Sequence, residues 1–546
     1  MYAQMPPPPP PGLGFCMPMF RSFVPKCIQP WIYLSMVMCI QFSSGMYLGA
    51  MEDIQGTTGF MIEDLLMCLY ANLAGMAVYF PLLFRMKLRF SNKFLLCTSA
   101  VVIGVCNLLT LHITFLPLLW VVCFIEGMAK LQGTFECMSN IQLWMTPKRD
   151  FGIFFPVLHV VLLTAIEGSG YLAAWFGYHF SWQFMHYFCV GTMCYVLLIQ
   201  QTLCRPFCPM PKPLSLKGLD FTGGLLLSIL MLIVSYIFVE GDYLMWMDNR
   251  TLRILLGVSL FLAGLLWHRF THVSNPFIHP KVFTVRNGVL IWMIVIIAEI
   301  LLGCEHTIEE ILYAEVFDYD EMTKESLMVW SLPGIYIGLV FDLLWLSVWR
   351  FKVWKLIAIG FLCVFGYALW FYRIIDVNIN IEMMRLPVML RGCGYAILSV
   401  ALMWSLEMVM HDLEHFFMSL CIFNIFHMYL AGAIGYAIYT TGFMHYLNDD
   451  LARYGSYLTL PHLDMRNFRF DEFMEPFLHS QMAVAAKQIY GWVAYAAAFM
   501  SLLFFLLDIP AIRNQMRRVY EWPAEGIEMI RRRTPLYMKS WFVKTK

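Results

Sequence analysis

Charge is scarce in this chain. Only 14% of its 546 residues are Asp, Glu, Lys or Arg, against roughly a quarter in an ordinary soluble domain, too few to cover a water-facing surface of this size. No phosphate-binding segment of the form GxxxxGK followed by Ser or Thr occurs, which excludes a P-loop nucleotide machine. The opening MYAQMPPPPPPGLGF has no basic stretch ahead of an apolar run and no small-residue cleavage site, so it reads as a solvated polyproline II tail and not as a signal peptide. Sixteen cysteines are scattered, mostly within apolar runs, where a free thiol behaves as a small hydrophobe; no disulfide framework is implied. The zero net charge says nothing about nucleic acid, and no nucleic-acid partner is expected.

What the chain has is apolar length. Its residues are 60% hydrophobic, arranged in runs of about 20, the helical length that crosses a bilayer core. Runs near 30–51, 63–84, 93–113, 116–144, 151–178, 182–203, 220–240, 251–270, 287–312, 326–349, 353–373, 383–409, 414–442 and 488–508 predict about fourteen membrane-spanning helices. With the N-terminus inside, 26 of the 37 Lys and Arg fall on inner segments, nine fall outside and two, Lys130 and Arg391, lie within spans. That bias places both termini in the cytoplasm. Acidic residues gather on the predicted outer side, in EHTIEEILYAEVFDYDEMTKE (305–325) and in a long loop at 443–487.

Two stretches carry a resemblance. FVEGDYLMWMDNRTLRILLGVSLFLAGLLWHRFTHVSNPFIHPKVFTVRN (238–287) resembles the two inserted middle helices of fourteen-span drug:proton antiporters in the major facilitator superfamily, with Gly241 and Trp246 at the outer turn and Asn287 as a helix cap. LRGCGYAILSVALMW (390–404), YLAGAIGYAIYTTGF (429–443) and AAKQIYGWVAYAAAF (485–499) are similar to that family in order and spacing. The resemblance implies an all-α major-facilitator fold: a cytoplasmic tail (1–29), a six-helix bundle (30–203), a linker with two extra helices (204–286), a second six-helix bundle (287–508) and a basic cytoplasmic tail (509–546). It also implies a bacterial inner-membrane efflux pump for amphipathic compounds, driven by protons through alternating access. Such pumps work with a periplasmic adaptor and an outer-membrane channel. The signature motifs depart from the pattern. FPLLFRMKLRFSNKF (80–94) keeps the basic residues but not the glycines and aspartate, the fourth span reads Cys123–Gly127 without the arginine, and IEGSGYLAAWFG (166–177) keeps Gly168 and Gly170 but no proline.

Charges left inside apolar helices each cost a few kcal/mol unless paired or wetted. They are Glu126, Lys130, Glu136, Glu167, Glu299, Asp342 and Arg391. Glu126 and Lys130 are one helical turn apart and share a face, with Glu126 roughly 15 Å deep. They are the expected proton-coupling pair, with Glu299 in reserve. Arg391, Glu167 and Glu136 are the expected cavity-lining charges, and Gly168 and Gly170 an expected close-packing motif. A structural ion-pair set joining the two halves is the competing account of the same charges. HTIEE (306–310) and HDLEH (411–415) have helical metal spacing but lack the zinc-protease order, so neither metal nor cofactor is expected. The rivals to efflux are a facilitator or importer of the same fold, a membrane-embedded enzyme built on HDLEH, and a non-transporting scaffold.

Overall fold

A computed structural model describes residues 20–43, 47–146, 150–207, 220–273, 275–377, 379–410, 413–455 and 470–506. Eighteen α-helices occur among them: α1 (Gln29–Gln41), α2 (Met51–Thr58), α3 (Ile62–Arg89), α4 (Asn92–Thr110), α5 (Leu116–Met145), α6 (Phe151–His179), α7 (Gln183–Thr202), α8 (Phe221–Val239), α9 (Arg250–His272), α10 (Lys281–Thr284), α11 (Arg286–Leu302), α12 (Glu321–Met328), α13 (Ser331–Leu343), α14 (Val353–Ile374), α15 (Ile381–Val409), α16 (Leu413–Asn424), α17 (Ala431–Gly455) and α18 (Phe470–Leu506). Side-chain caps start several of them. Ser91 accepts from Phe94 N, Asp150 from Gly152 N, Asp220 from Gly223 N, Asn249 from Thr251 N and Asn380 from Glu382 N, each satisfying a donor that the first helical turn leaves open. Asn287 is not a cap: α11 begins at Arg286, with Val285 at the cap position.

Twelve helices among the described residues are long and apolar enough to cross a membrane, so the expected count of fourteen is not reached. The two that fall short are the expected first and sixth spans. Helix α1 runs for only 13 residues, and α7 has the length but dilutes its apolar surface with Gln183, His186, Gln200 and Gln201. The expected outer loop 443–487 is largely helix in its described parts: α17 continues to Gly455 and α18 opens at Phe470. Longer helices also replace the expected break after 312, because the α11 span continues to Val316 through two π-helical segments, Glu305–Glu309 and Leu312–Val316. Two further π-helical segments follow, Leu344–Trp349 after α13 and Ile425–Leu430 between α16 and α17.

Helices α1 and α3–α7 pack into one bundle and α11–α18 into another, and they meet where α6 lies against α12, α13 and α15 and where α3 lies against α16. Helix α8 touches both bundles, through α3 and α17, while α9 packs chiefly on α8 and turns Ile254, Leu260, Phe261 and Trp267 outward. Arg269 clamps this hairpin by donating from Nε and Nη2 to Asp220 Oδ1, at 2.7 and 2.6 Å.

Each bundle contains a reciprocal helix crossing so tight that only glycine fits. A Cβ on Gly75 of α3 would fall on the carbonyl of Phe124, and one on Gly127 of α5 on the carbonyl of Asn72. The second bundle repeats the arrangement between Gly334 of α13 and the Met389 carbonyl, and between Gly392 of α15 and the Ser331 carbonyl. Gly127→Val or Gly334→Val is therefore expected to destabilise the protein by at least 1–3 kcal/mol, the usual range for overpacking. Gly257→Val and Gly264→Val on α9, where a Cβ meets nothing within 4 Å, should cost under about 1 kcal/mol. Thermal unfolding of the purified variants in detergent, with loss of the monodisperse peak as readout, checks both halves of this expectation.

Candidate functional site

The second bundle buries a guanidinium. Arg391 of α15 is 1% exposed and donates from Nη1 to Glu309 Oε2 at 2.5 Å, while its Nη2 lies 2.8 Å from Glu305 Oε1. Glu309 is fully buried and its remaining capacity is filled by the hydroxyls of Tyr313, at 3.1 Å, and Tyr367. Tyr490 stands 3.5 Å behind Tyr367, oxygen to oxygen. A carboxylate with an arginine and two phenols is fully compensated, which suits a fixed support. Glu305 is the more open partner, with a side chain 22% exposed. Glu167 approaches from the other bundle, on α6, and interacts electrostatically with Glu305 and Arg391. The Arg391–Glu305–Glu167 layer thus straddles the boundary between bundles.

A second pair lies on the same side of the second bundle. Glu299 of α11 contacts His427 Nδ1 at 2.5 Å, and Tyr395 of α15 stacks on the His427 ring at 6.0 Å. His159 of α6, whose Nδ1 lies 2.8 Å from the Phe155 carbonyl, interacts with His427 across the boundary. His427 sits within the π-helical segment Ile425–Leu430, and Glu305 and Glu309 bound the segment Glu305–Glu309. Such widened turns occur frequently at functional sites.

The first bundle holds its own buried network. Glu126 of α5 is fully buried and accepts from Asn107 Nδ2 at 2.7 Å, while its Oε2 has no partner. Because the Asn107 amide nitrogen is committed to Glu126, its Oδ1 is the acceptor facing His186 Nδ1 at 2.9 Å, so His186 donates from Nδ1. Lys130 does not close an ion pair with Glu126. It donates instead to the Ser43 carbonyl at 2.6 Å, filling an acceptor just beyond the end of α1. Glu136 lies elsewhere, 3.4 Å from Lys87 Nζ, and ties α5 to the end of α3. Gly168 faces the Phe42 ring at 3.5 Å, and Gly170 lies under the Glu325 carboxylate, with Gly49 packed against its carbonyl.

Of the charges singled out from sequence, Arg391, Glu167 and Glu299 thus gather at the boundary, Glu126 and Lys130 lie inside the first bundle, and Glu136 stands apart. Sequence reasoning missed Glu305, Glu309 and His427. The signal for the first two was their four-residue spacing within an apolar run that goes on to Val316. The HDLEH segment lies partly outside the described residues. No cluster of three or more metal-ligating side chains occurs among the described residues.

The bundles also touch at both ends. On the predicted outer side, Lys324 of α12 reaches Glu52 of α2 at 2.5 Å and Glu310 at 2.8 Å, and the Glu52 amide donates to Glu321 Oε1 at 2.6 Å. On the predicted inner side, the Phe151 and Phe416 rings are 6.2 Å apart and those of Phe135 and Phe417 5.5 Å.

No known family's sequence profile matches the chain, and no curated protein does. Solved structures do match. The nucleoside transporter NupG superposes with a TM-score of 0.53 at 12% identity, covering 87% of this chain and 100% of that one. A structure of proton dependent oligopeptide transporters gives 0.54 at 15% identity, covering 90% and 99%. The peptide transporter POT, solved with sulfate, gives 0.55 at 12%, covering 91% and 97%. The chain therefore shares the all-helical fold of these transporter structures, with twelve helices among its described residues long and apolar enough to cross a membrane.

Removing the guanidinium would strand Glu309. Arg391→Ala is expected to cost about 3–5 kcal/mol, as when one partner of a buried ion pair is lost. Glu126→Gln keeps an acceptor for Asn107 and should cost about 1 kcal/mol or less. Melting of the two variants side by side in one detergent checks the difference; equal melting would mean that the arginine cluster holds nothing together.

Proposed function

We propose that this protein is a proton-coupled secondary active transporter that takes a small polar solute across the membrane by alternating access. The observation that carries the reading is the charged layer at the bundle boundary, where Arg391 and Glu305 of one bundle face Glu167 of the other and His427–Glu299 faces His159. Charges at mid-membrane are costly and mark substrate or proton pathways, and repeat interfaces are where transporters bind. In this reading α1 and α7 complete a set of fourteen helices with α8 and α9 inserted, and Glu299–His427 and Glu126, the latter near Lys130, exchange protons. Peptide and nucleoside transporters among the structural neighbours support polar solutes. The drug-efflux reading, with its adaptor and outer-membrane channel, rests on the sequence resemblance alone.

The end contacts supply the two gates. Lys324 is 4% exposed and bonded to both Glu52 and Glu310, so with the Glu52–Glu321 hydrogen bond it latches the outer passage. The aromatic pairs close the inner passage. Alternation requires each set to part in turn, and a ligand or proton shifts that balance only through its different affinity for the two states.

Reconstitution into proteoliposomes tests the proposal, using an imposed proton gradient and a panel of dipeptides, nucleosides and amphipathic cationic dyes. Gradient-driven accumulation of a dipeptide or nucleoside is expected. Glu299→Gln should abolish accumulation while sparing equilibrium exchange, because a coupling residue links solute to proton without binding the solute. Lys324→Ala should raise labelling of an outer-side single cysteine at Glu321 several-fold. Accumulation of the dyes alone, or transport indifferent to the gradient, would overturn this reading.

A further inference from the structure

Among the described residues, Asp342 is the carboxyl whose two oxygens are both fully buried without a hydrogen-bond partner. It lies on α13 with no exposed surface. Glu126, Glu136, Glu299, Glu305 and Glu309 each meet a donor or cation, so burial alone does not account for the contrast. The titratable groups that face Asp342 are thiols, Cys393 of α15 and Cys363 of α14, whose sulfurs are 4.0 Å apart. Neither supplies a positive charge. An isolated carboxylate in such a place would carry a desolvation cost far above that of a neutral acid, and side chains there neutralise instead. The geometry thus specifies a protonated Asp342 in this closed arrangement.

The position of Asp342 matters as much as its state. Helix α13 runs directly into the π-helical segment Leu344–Trp349, followed by Arg350, Lys352 and Lys355 on the predicted cytoplasmic side. That segment is sealed against the start of α6: a Cβ placed on Gly152 would lie 3.4 Å from Ser347 Oγ and 3.6 Å from Leu346 Cβ. Asp342 is one turn above Leu346. Parting α6 from this segment, which inner opening requires, brings water to within about a helical turn, 5.4 Å, of the acid.

We infer that Asp342 is an inner-side proton-release group, protonated while the passage is closed and ionised when α6 separates from Leu344–Trp349. The step is the dissociation of one carboxylic O–H, with the proton leaving to water on the cytoplasmic side and the carboxylate remaining on α13. It rests on the alternating-access reading but not on any solute, and it adds a titrating site away from the charged boundary layer.

Infrared spectroscopy of the full-length protein in lipid tests it without a substrate. At neutral pH the wild type should show a carboxylic-acid C=O band that Asp342→Asn removes. The Phe151→Ala/Phe416→Ala double variant, in which single-cysteine labelling at Ser347 establishes inner opening, should lose that band and gain a carboxylate one. Leu346→Ala provides a second route to the open state if the double variant folds poorly. If Asp342→Asn leaves the acid band unchanged, the group is ionised when closed and the inference falls. A band that survives inner opening makes Asp342 a fixed structural acid and also overturns it. Failure of the transporter reading has its own signature, absence of gradient-driven uptake across the solute panel, which these spectra do not depend on.

Discussion

The burial of Arg391 constrains much of the second bundle. A guanidinium cannot shed its charge, so its neighbours must deliver compensation: the π-helical continuation of α11 brings Glu305 and Glu309, α14 brings Tyr367 behind Glu309, and α18 brings Tyr490 behind that. The tight glycine crossing of α13 and α15 sets how close the arginine's own helix can lie to its neighbour. The cluster is internally asymmetric. Glu309 is saturated and enclosed, whereas Glu305 keeps open surface and faces the other bundle. One carboxylate anchors the arginine while the other leaves it able to interact across the boundary.

The first bundle uses polarity differently. Its network passes through a neutral amide and an imidazole, Glu126 to Asn107 to His186, and its cation is spent on a backbone carbonyl. A change in the protonation of Glu126 would therefore be felt through hydrogen-bond donors and acceptors and not through a rigid ion pair. The two bundles share a packing device, reciprocal glycine–carbonyl contacts, yet differ in how their buried charges are held.

Much of this was legible in the sequence. Hydropathy and the distribution of Lys and Arg gave an all-helical, multi-pass chain, and the cost of charge in apolar helices directed attention to Glu126, Glu167, Glu299 and Arg391. Three things were not legible. Charge density alone made 305–325 part of an acidic outer surface, because two of the groups that compensate Glu309, Tyr367 and Arg391, lie 58 and 82 positions away. Shared helix face suggested a Glu126–Lys130 pair, but an open carbonyl near the end of α1 competed for the ammonium and won. The count of fourteen relied on apolar run length, which α1 lacks as a helix and α7 dilutes with amides.

The four π-helical segments all lie in the second bundle among the described residues, and two of them hold Glu305, Glu309 and His427. A π turn carries about one residue more than an α turn, so it behaves like a dislocation in a lattice. Shifting it by one position re-indexes the helix locally, turning the residues it passes by about 100° while leaving both ends of the rod in place. A rod with such a defect can swing a glutamate from one neighbour to another without unwinding, against a first bundle whose described helices carry no π-helical segment.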